Sequence, residues 1–304
     1  MADPHPVDGT EEVADPHPMD GIGVVDLMLG VPPNRDAWFA DYEGLLKDTE
    51  SRGFGHGAGY MFKDLPHVDG TVDYVAYLLA EMDRWGVDKG LLPVGFGDTW
   101  GTRAVTEHPD RLYGSFLVDP NLGMRGVRDL RRAVDELGVI AAACFPTGLH
   151  PQVNIGDPLM YPVYATCCEL DIPICINAGV PGPRFPFGPQ HVEHLDRVCY
   201  DFPELVVVTR HGAEPWGALM VKLMLKWPGL HYSTSAFAPK HYPESVIAYA
   251  NTRGADKVMY AGYFPSGLSL ERTMTEMRSV PFRGHVWAKF LRDNALRVFN
   301  MGDT

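Results

Sequence analysis

Eight short, nearly uninterrupted apolar runs recur along this chain: Gly23–Leu29, Lys89–Pro93, Leu112–Val118, Ile140–Phe145, Ile172–Ile176, Leu205–Thr209, Leu230–Thr234 and Lys257–Ala261. A strand covered on both faces has no polar side to show. Parallel strands buried between layers therefore read as continuous apolar runs, not alternating ones. Between the runs lie segments with helical spacing: Val72–Gly86, Gly126–Gly138, Pro158–Leu170, His191–Phe202, Ala218–Trp227, Pro243–Gly254, Leu268–Ser279 and Gly284–Phe299. In Gly126–Gly138, for example, Val127, Leu130, Val134 and Leu137 fall on one face. Strands alternating with helices imply βαβ units, and eight such units favour an α/β fold closed as a (β/α)8 TIM barrel. One stretch, Pro32–Asp69, breaks the rhythm. It is rich in glycine and in aromatics (Trp38, Phe39, Tyr42, Phe54, Tyr60, Phe62, with Trp100 later) and is expected to be a lid inserted after the first strand.

A chain of 304 residues suits one such domain, expected over residues 22–304. Ahead of it, Ala2-Asp3-Pro4-His5-Pro6-Val7-Asp8-Gly9 returns as Ala14-Asp15-Pro16-His17-Pro18-Met19-Asp20-Gly21. This polar, acidic, proline-rich duplication reads as a flexible arm over residues 1–21. The net charge of −13 argues against nucleic-acid and anionic membrane partners, which would repel the chain. No apolar run is long enough to span a membrane, and the N-terminus lacks the blocks of a signal peptide. Five cysteines (Cys144, Cys167, Cys168, Cys175, Cys199) with no metal-like spacing read as mostly buried thiols, which suits a reducing cytoplasm.

In a barrel, the turns after the strands gather on one face. Here they bring Asp26, Asp98, Asp119, Asn121, His150, Asn177, Arg184, Arg210, His211, Glu214, Ser233, Ser235, Lys240, His241 and Tyr263. Asp119-Pro120-Asn121 reads as a turn or cap. Arg210-His211-Gly212 is harder to explain structurally. It closes the β-branched run Val206-Val207-Val208-Thr209, and a His placed there suits proton transfer.

Several segments resemble the amidohydrolase superfamily, in the branch of aminocarboxymuconate-semialdehyde decarboxylase and the resorcylate decarboxylases. They are Gly86-Val87-Asp88-Lys89-Gly90-Leu91-Leu92-Pro93, His108-Pro109-Asp110-Arg111-Leu112-Tyr113-Gly114, Phe202-Pro203-Glu204-Leu205 leading into Arg210-His211-Gly212, and Asn294-Ala295-Leu296-Arg297-Val298-Phe299. The resemblance spans Ile22 to Phe299 and implies a barrel holding zinc or manganese. It implies ligands from a His-x-His pair on the first strand, a His after the fifth and an Asp after the eighth. Met28 and Gly30, Asn177, and Tyr263 stand at those places here. Met, Gly and Asn are poor or impossible zinc ligands. His211 matches the catalytic His that the resemblance implies after the sixth strand.

The expectation is a metal-independent hydrolase acting on a small ester, lactone or amide, with no cofactor. His211 would be general acid or base, Glu214 or Asp26 would orient it, and Tyr263 and Asn177 would bond the oxygen that a metal would polarise. Met28 would line the same emptied site. Arg184, Arg210, Lys240 and His150 would hold the substrate's polar or anionic groups. One alternative is a lyase that decarboxylates a small aromatic or enoic carboxylate, and another is a non-catalytic small-molecule binder. A divalent metal such as zinc at a non-standard site (His56, His67, His150, His241) is a further alternative. The resemblance also implies a homodimer, with Trp216, Trp227 and Trp287 as candidate interface residues.

Overall fold

A computed structural model describes residues 16–30, 42–53, 58–63, 65–68, 70–97 and 99–302. Eight parallel strands pair in sequence order. They are β1 (Val24–Asp26), β2 (Val87–Val94), β3 (Leu112–Leu117), β4 (Ala141–Cys144), β5 (Ile174–Asn177), β6 (Val207–Arg210), β7 (Leu230–Ser233) and β8 (Val258–Met259). Helices follow the strands: α1 (Tyr74–Trp85), α2 (Trp100–Glu107), α3 (Met124–Leu137), α4 (Tyr161–Leu170), α5 (His194–Asp201), α6 (Gly217–Lys226), α7 (Glu244–Ala250) and, after β8, α8 (Leu270–Met277). The fold is TIM-barrel-like, and each of the eight apolar runs became a strand.

The strands carry two alternating faces. In β4, Ala142 and Cys144 join the core shared with the helices, whereas Ala141 and Ala143 point inward. In β5, Ile174 and Ile176 face out and Cys175 faces in. Both faces are apolar, which is why no alternation was visible in the sequence. The inner face of these two strands is built from small side chains, and Phe299 and Met301 join that inner cluster from the chain's C-terminal segment.

Strands β1 and β8 share no ladder among the described residues. Their seam is bridged instead by the Asp26 carboxylate, whose Oδ1 accepts the Met28 N–H at 2.9 Å and the Gly262 N–H at 2.8 Å. The Gly30 N–H adds a bond to the Phe264 carbonyl at 2.7 Å.

The helix ends follow local chemistry. Asp73 caps α1 by accepting the amides of Val75 and Ala76, and Gly86 closes it at φ 69°. Helix α2 was not anticipated. It is eight residues long and opens Trp-Gly-Thr, a poor start on propensity. Gly101 is needed there because a Cβ would lie 2.2 Å from the Pro93 carbonyl oxygen. The segment Gly284–Phe299, expected as one helix, is α9 (Gly284–Ala288), a π turn (Lys289–Asp293) and α10 (Asn294–Val298). The π turn points the Phe290 carbonyl at the end of β8, where it accepts the N–H of Tyr260, the next residue, at 2.8 Å.

Residues 1–15 of the duplicated arm lie outside the described residues. From the second copy, His17 packs edge-on against Trp287 at 5.1 Å and Asp20 pairs with Arg278 at 2.7 Å. Trp287 is buried within the chain, so it offers nothing to an interface. All five thiols are unpaired, and burial is the main reason the Cys144, Cys167, Cys168, Cys175 and Cys199 thiols are pushed up. Among the described residues, no helix is long and apolar enough to cross a membrane.

Candidate active site

The chain leaves β6 through two successive left-handed residues, His211 at φ 61° and Gly212 at φ 71°. Glycine takes that conformation freely, but histidine does so at a cost of about 1 kcal/mol or more. The bend is held by Ser235, a fully buried residue after β7. Its Oγ accepts the His211 backbone N–H at 2.8 Å and lies 3.2 Å from His211 Nδ1. The imidazole then meets the Tyr263 ring edge-on at 5.2 Å.

A cavity of about 1070 Å³ opens here, at the C-terminal ends of the strands. Met28, Asn177, Arg210, His211, Lys240 and Tyr263 all line it, so six of the sequence candidates converge. Asn177 stands opposite Arg210 in the β5–β6 ladder. From the expected lid, Tyr42, Ala58, Met61, Phe62 and Lys63 line the same cavity, and Phe62 packs on Tyr263 at 5.5 Å. Trp38, Phe39 and Phe54 lie outside the described residues, as does Asp98. Trp100 packs on Tyr74 at 4.8 Å, away from the cavity lining.

The electrostatics are lopsided. Burial first, and the neighbouring Arg210 charge second, lower the His211 pKa to about 4, which leaves a neutral imidazole at neutral pH. Burial raises the Tyr263 phenol to about 12, so it is a hydrogen-bond donor. Arg210 is only 7% exposed. Its guanidinium makes a long 3.4 Å contact from Nη2 to Ser115 Oγ and neighbours the Cys175 thiol, and its Nε has no partner among the described residues. Among the described residues, no carboxylate lies within ion-pair distance of it. Removing a cation from water without an anion is costly, and a bound anion would offset that cost.

Four candidates are placed elsewhere. Asp26, at 0% exposure, joins the β1–β8 seam and does not line the cavity. Burial raises its pKa, against the pull of its backbone partners. Glu214 accepts the Val180 N–H at 2.8 Å through its backbone carbonyl, and its side chain is not part of the lining. Arg184 is engaged by Asp48 and Glu50, each at 2.9 Å, and its guanidinium lies 5.3 Å from the Tyr60 ring centre. His150 is exposed and shares a separate, shallower depression with Arg184. Asp119 accepts the Asn121 N–H at 2.9 Å, the turn expected for it. Ser115, Arg272 and Glu276 belong to the cavity and were not singled out. Nothing in their local sequence marks them; only the fold brings β3 and α8 to this face.

A histidine, a buried guanidinium and a cavity on the C-terminal face stand where barrel enzymes carry their active sites. The amidohydrolase family profile matches residues 5–301, and the chain belongs to that family. No curated protein matches the sequence. Among solved structures, an uncharacterised TIM-barrel protein, Bb4693 from Bordetella bronchiseptica, superposes with a TM-score of 0.69 at 20% identity, covering 92% of this chain and 99% of that one. The 5-carboxyvanillate decarboxylase LigW of Sphingomonas paucimobilis gives 0.66 at 17%, with 92% and 100% covered. The 2,6-dihydroxybenzoate decarboxylase from Rhizobium gives 0.63 at 15%, with 92% and 99% covered. At these identities the likeness is one of fold.

The residues at the expected ligand positions do not fit zinc or manganese. They offer a thioether (Met28), nothing (Gly30), an amide (Asn177) and a protonated phenol (Tyr263). A Cβ on Gly30 would lie 2.2 Å from Ser266 Oγ, so an imidazole would not fit there unless Ser266 moved. Among the described residues, no three His, Cys, Asp or Glu side chains gather as a metal cage. Of the non-standard candidates, His241 lines the cavity, His67 and His150 do not, and His56 lies outside the described residues.

Proposed function

We propose that this chain is a lyase that decarboxylates a small aromatic or enoic carboxylate without a catalytic metal. The observation that carries the reading is Arg210, a buried guanidinium with no carboxylate partner among the described residues, next in sequence to His211 at the cavity surface. Similarity to two aromatic-acid decarboxylases moves the preference from hydrolysis to C–C cleavage. Arg210 anchors an anionic group of the substrate. The Tyr263 hydroxyl and the Asn177 amide donate to a substrate oxygen, where negative charge builds as the bond breaks. His211 delivers a proton to the carbon that carries the departing carboxylate. The electron pair of the C–C bond returns to the substrate skeleton, CO2 leaves, and solvent reprotonates the imidazole. A bound anion offsets the Arg210 charge and so raises the affinity of His211 for that proton.

A second reading, hydrolysis of an ester or lactone, is favoured by one observation. The pKa of about 4 leaves His211 neutral, the state a general base for water requires. Incubating the protein with hydroxybenzoates, benzene dicarboxylates and pyrone lactones in D2O separates the two. Decarboxylation releases CO2 and leaves deuterium at the carbon that lost it. Ring opening without CO2 would replace the lyase by the hydrolase. Ligand-raised melting temperatures with no turnover would support a binder.

A further inference from the structure

The cavity has a second anion-attracting wall. Its described lining carries four cationic side chains, Lys63, Arg210, Lys240 and Arg272, against a single carboxylate, Glu276. This stands out on a chain whose net charge is −13. A concave surface of one sign concentrates the field of its charges and draws in the opposite ion. The cations are also divided in space. Arg210 is buried at the end of β6. Arg272 sits on α8, and Lys240 sits in the turn after β7. These two share Glu276, at 3.0 Å from Arg272 Nε and 3.6 Å from Lys240 Nζ. One carboxylate between two cations leaves that wall a unit of positive charge.

We infer that the substrate is a dicarboxylate, with one carboxylate held by Arg210 and the other by Lys240 and Arg272. This rests on the reading of Arg210 as an anion anchor. The chemistry of decarboxylation adds an independent reason. A carboxylate that leaves as CO2 first gives its charge to the rest of the molecule, so a cation clamped only on that group opposes its departure. A second carboxylate that stays lets binding energy hold the substrate without resisting the reaction. Guanidinium supplies a planar two-point grip and the lysine a mobile point charge, so together they accept a carboxylate approaching from the cavity.

The test is calorimetric binding of benzoate, isophthalate and terephthalate to the full chain. The wild type should bind at least one dicarboxylate 10-fold or more tighter than benzoate. In Lys240→Gln/Arg272→Gln that ratio should fall to near one. Lys240→Glu is the second variant, because Lys240 is half exposed and its replacement does not disturb the core; it should reverse the preference. Equal wild-type affinities, or a preference that survives both variants, would overturn the dicarboxylate assignment while leaving Arg210 as an anchor. The Arg210→Gln variant reads the underlying premise. If benzoate bound that variant as tightly as wild type, or if neither class of acid bound the wild type, the anchor reading and the dicarboxylate would fall together.

Discussion

Ser235 Oγ sits 2.8 Å from the backbone nitrogen of His211 and 3.2 Å from its Nδ1, so one hydroxyl holds both the main chain and the ring of the same residue. The two groups come from the ends of adjacent strands. Ser235→Ala leaves a buried N–H without its partner, a loss of roughly 1–3 kcal/mol. The expected result is a lower melting temperature, together with a fall of about 10-fold in kcat as the ring loses its orientation. Unchanged kcat beside a lowered melting temperature would assign Ser235 to stability alone.

His211→Asn should cut turnover by about 10²–10⁴-fold, the range typical of a positioned general acid or base. Circular dichroism would check that the fold persists. Turnover within threefold of wild type would remove His211 from the chemistry.

His211 also makes stability depend on pH. Its folded pKa of about 4 lies below the ordinary value of 6.5, so the unfolded chain binds the proton more readily. The favourable contribution is complete above pH 6.5 and is lost as pH falls from there through about 4. Urea titrations across this window should show a shallower acid slope for His211→Asn. In Arg210→Gln, removing the adjacent cation should raise the His211 pKa, read from the imidazole proton shifts by NMR. A downward shift would contradict the charge argument.

Asp26 separates a structural from a catalytic role. Asp26→Ala strands the Met28 and Gly262 amides and should cost about 2–4 kcal/mol. Asp26→Asn keeps a carbonyl acceptor for both and removes a buried carboxylate whose pKa burial already raises. It should stay within about 1 kcal/mol of wild type and retain turnover. Loss of turnover in a fully stable Asp26→Asn protein would restore Asp26 to the reaction.

The ligand positions predict that protein purified in metal-containing buffer carries well under one equivalent of zinc or manganese. Dialysis against chelator should leave turnover unchanged. Stoichiometric metal by mass spectrometry, with activity lost on its removal, would refute the proposed mechanism.

The strands were legible because burial on both faces writes itself directly into composition. Gly86 was legible as the end of α1 because it takes the left-handed turn expected of it. Helix α2 was hidden by a weak, short segment that tertiary packing against β2 stabilises. The site was half legible. Asn177 and Arg210 end their strands and His211 and Tyr263 follow theirs, and the fold rule alone places them on the cavity face. Arg184 and Glu214 obey the same rule and yet sit away from the lining, because a long loop carries Arg184 to the acids at 48 and 50 and Glu214 braces the neighbouring turn. Arg272 follows no strand directly. It reaches the cavity from the helix after β8, a distance that periodicity does not encode.

The Phe290 carbonyl, turned out of its helix to meet the Tyr260 amide, also bears on the order of events during synthesis. The Tyr260 amide, just after β8, cannot donate that bond until the chain has been made some thirty residues beyond it. Until the segment from Gly284 onward has left the ribosome, the chain just after β8 lacks that bond. Chains arrested before Gly284 should remain open to protease at β8, and those released after Phe299 should not.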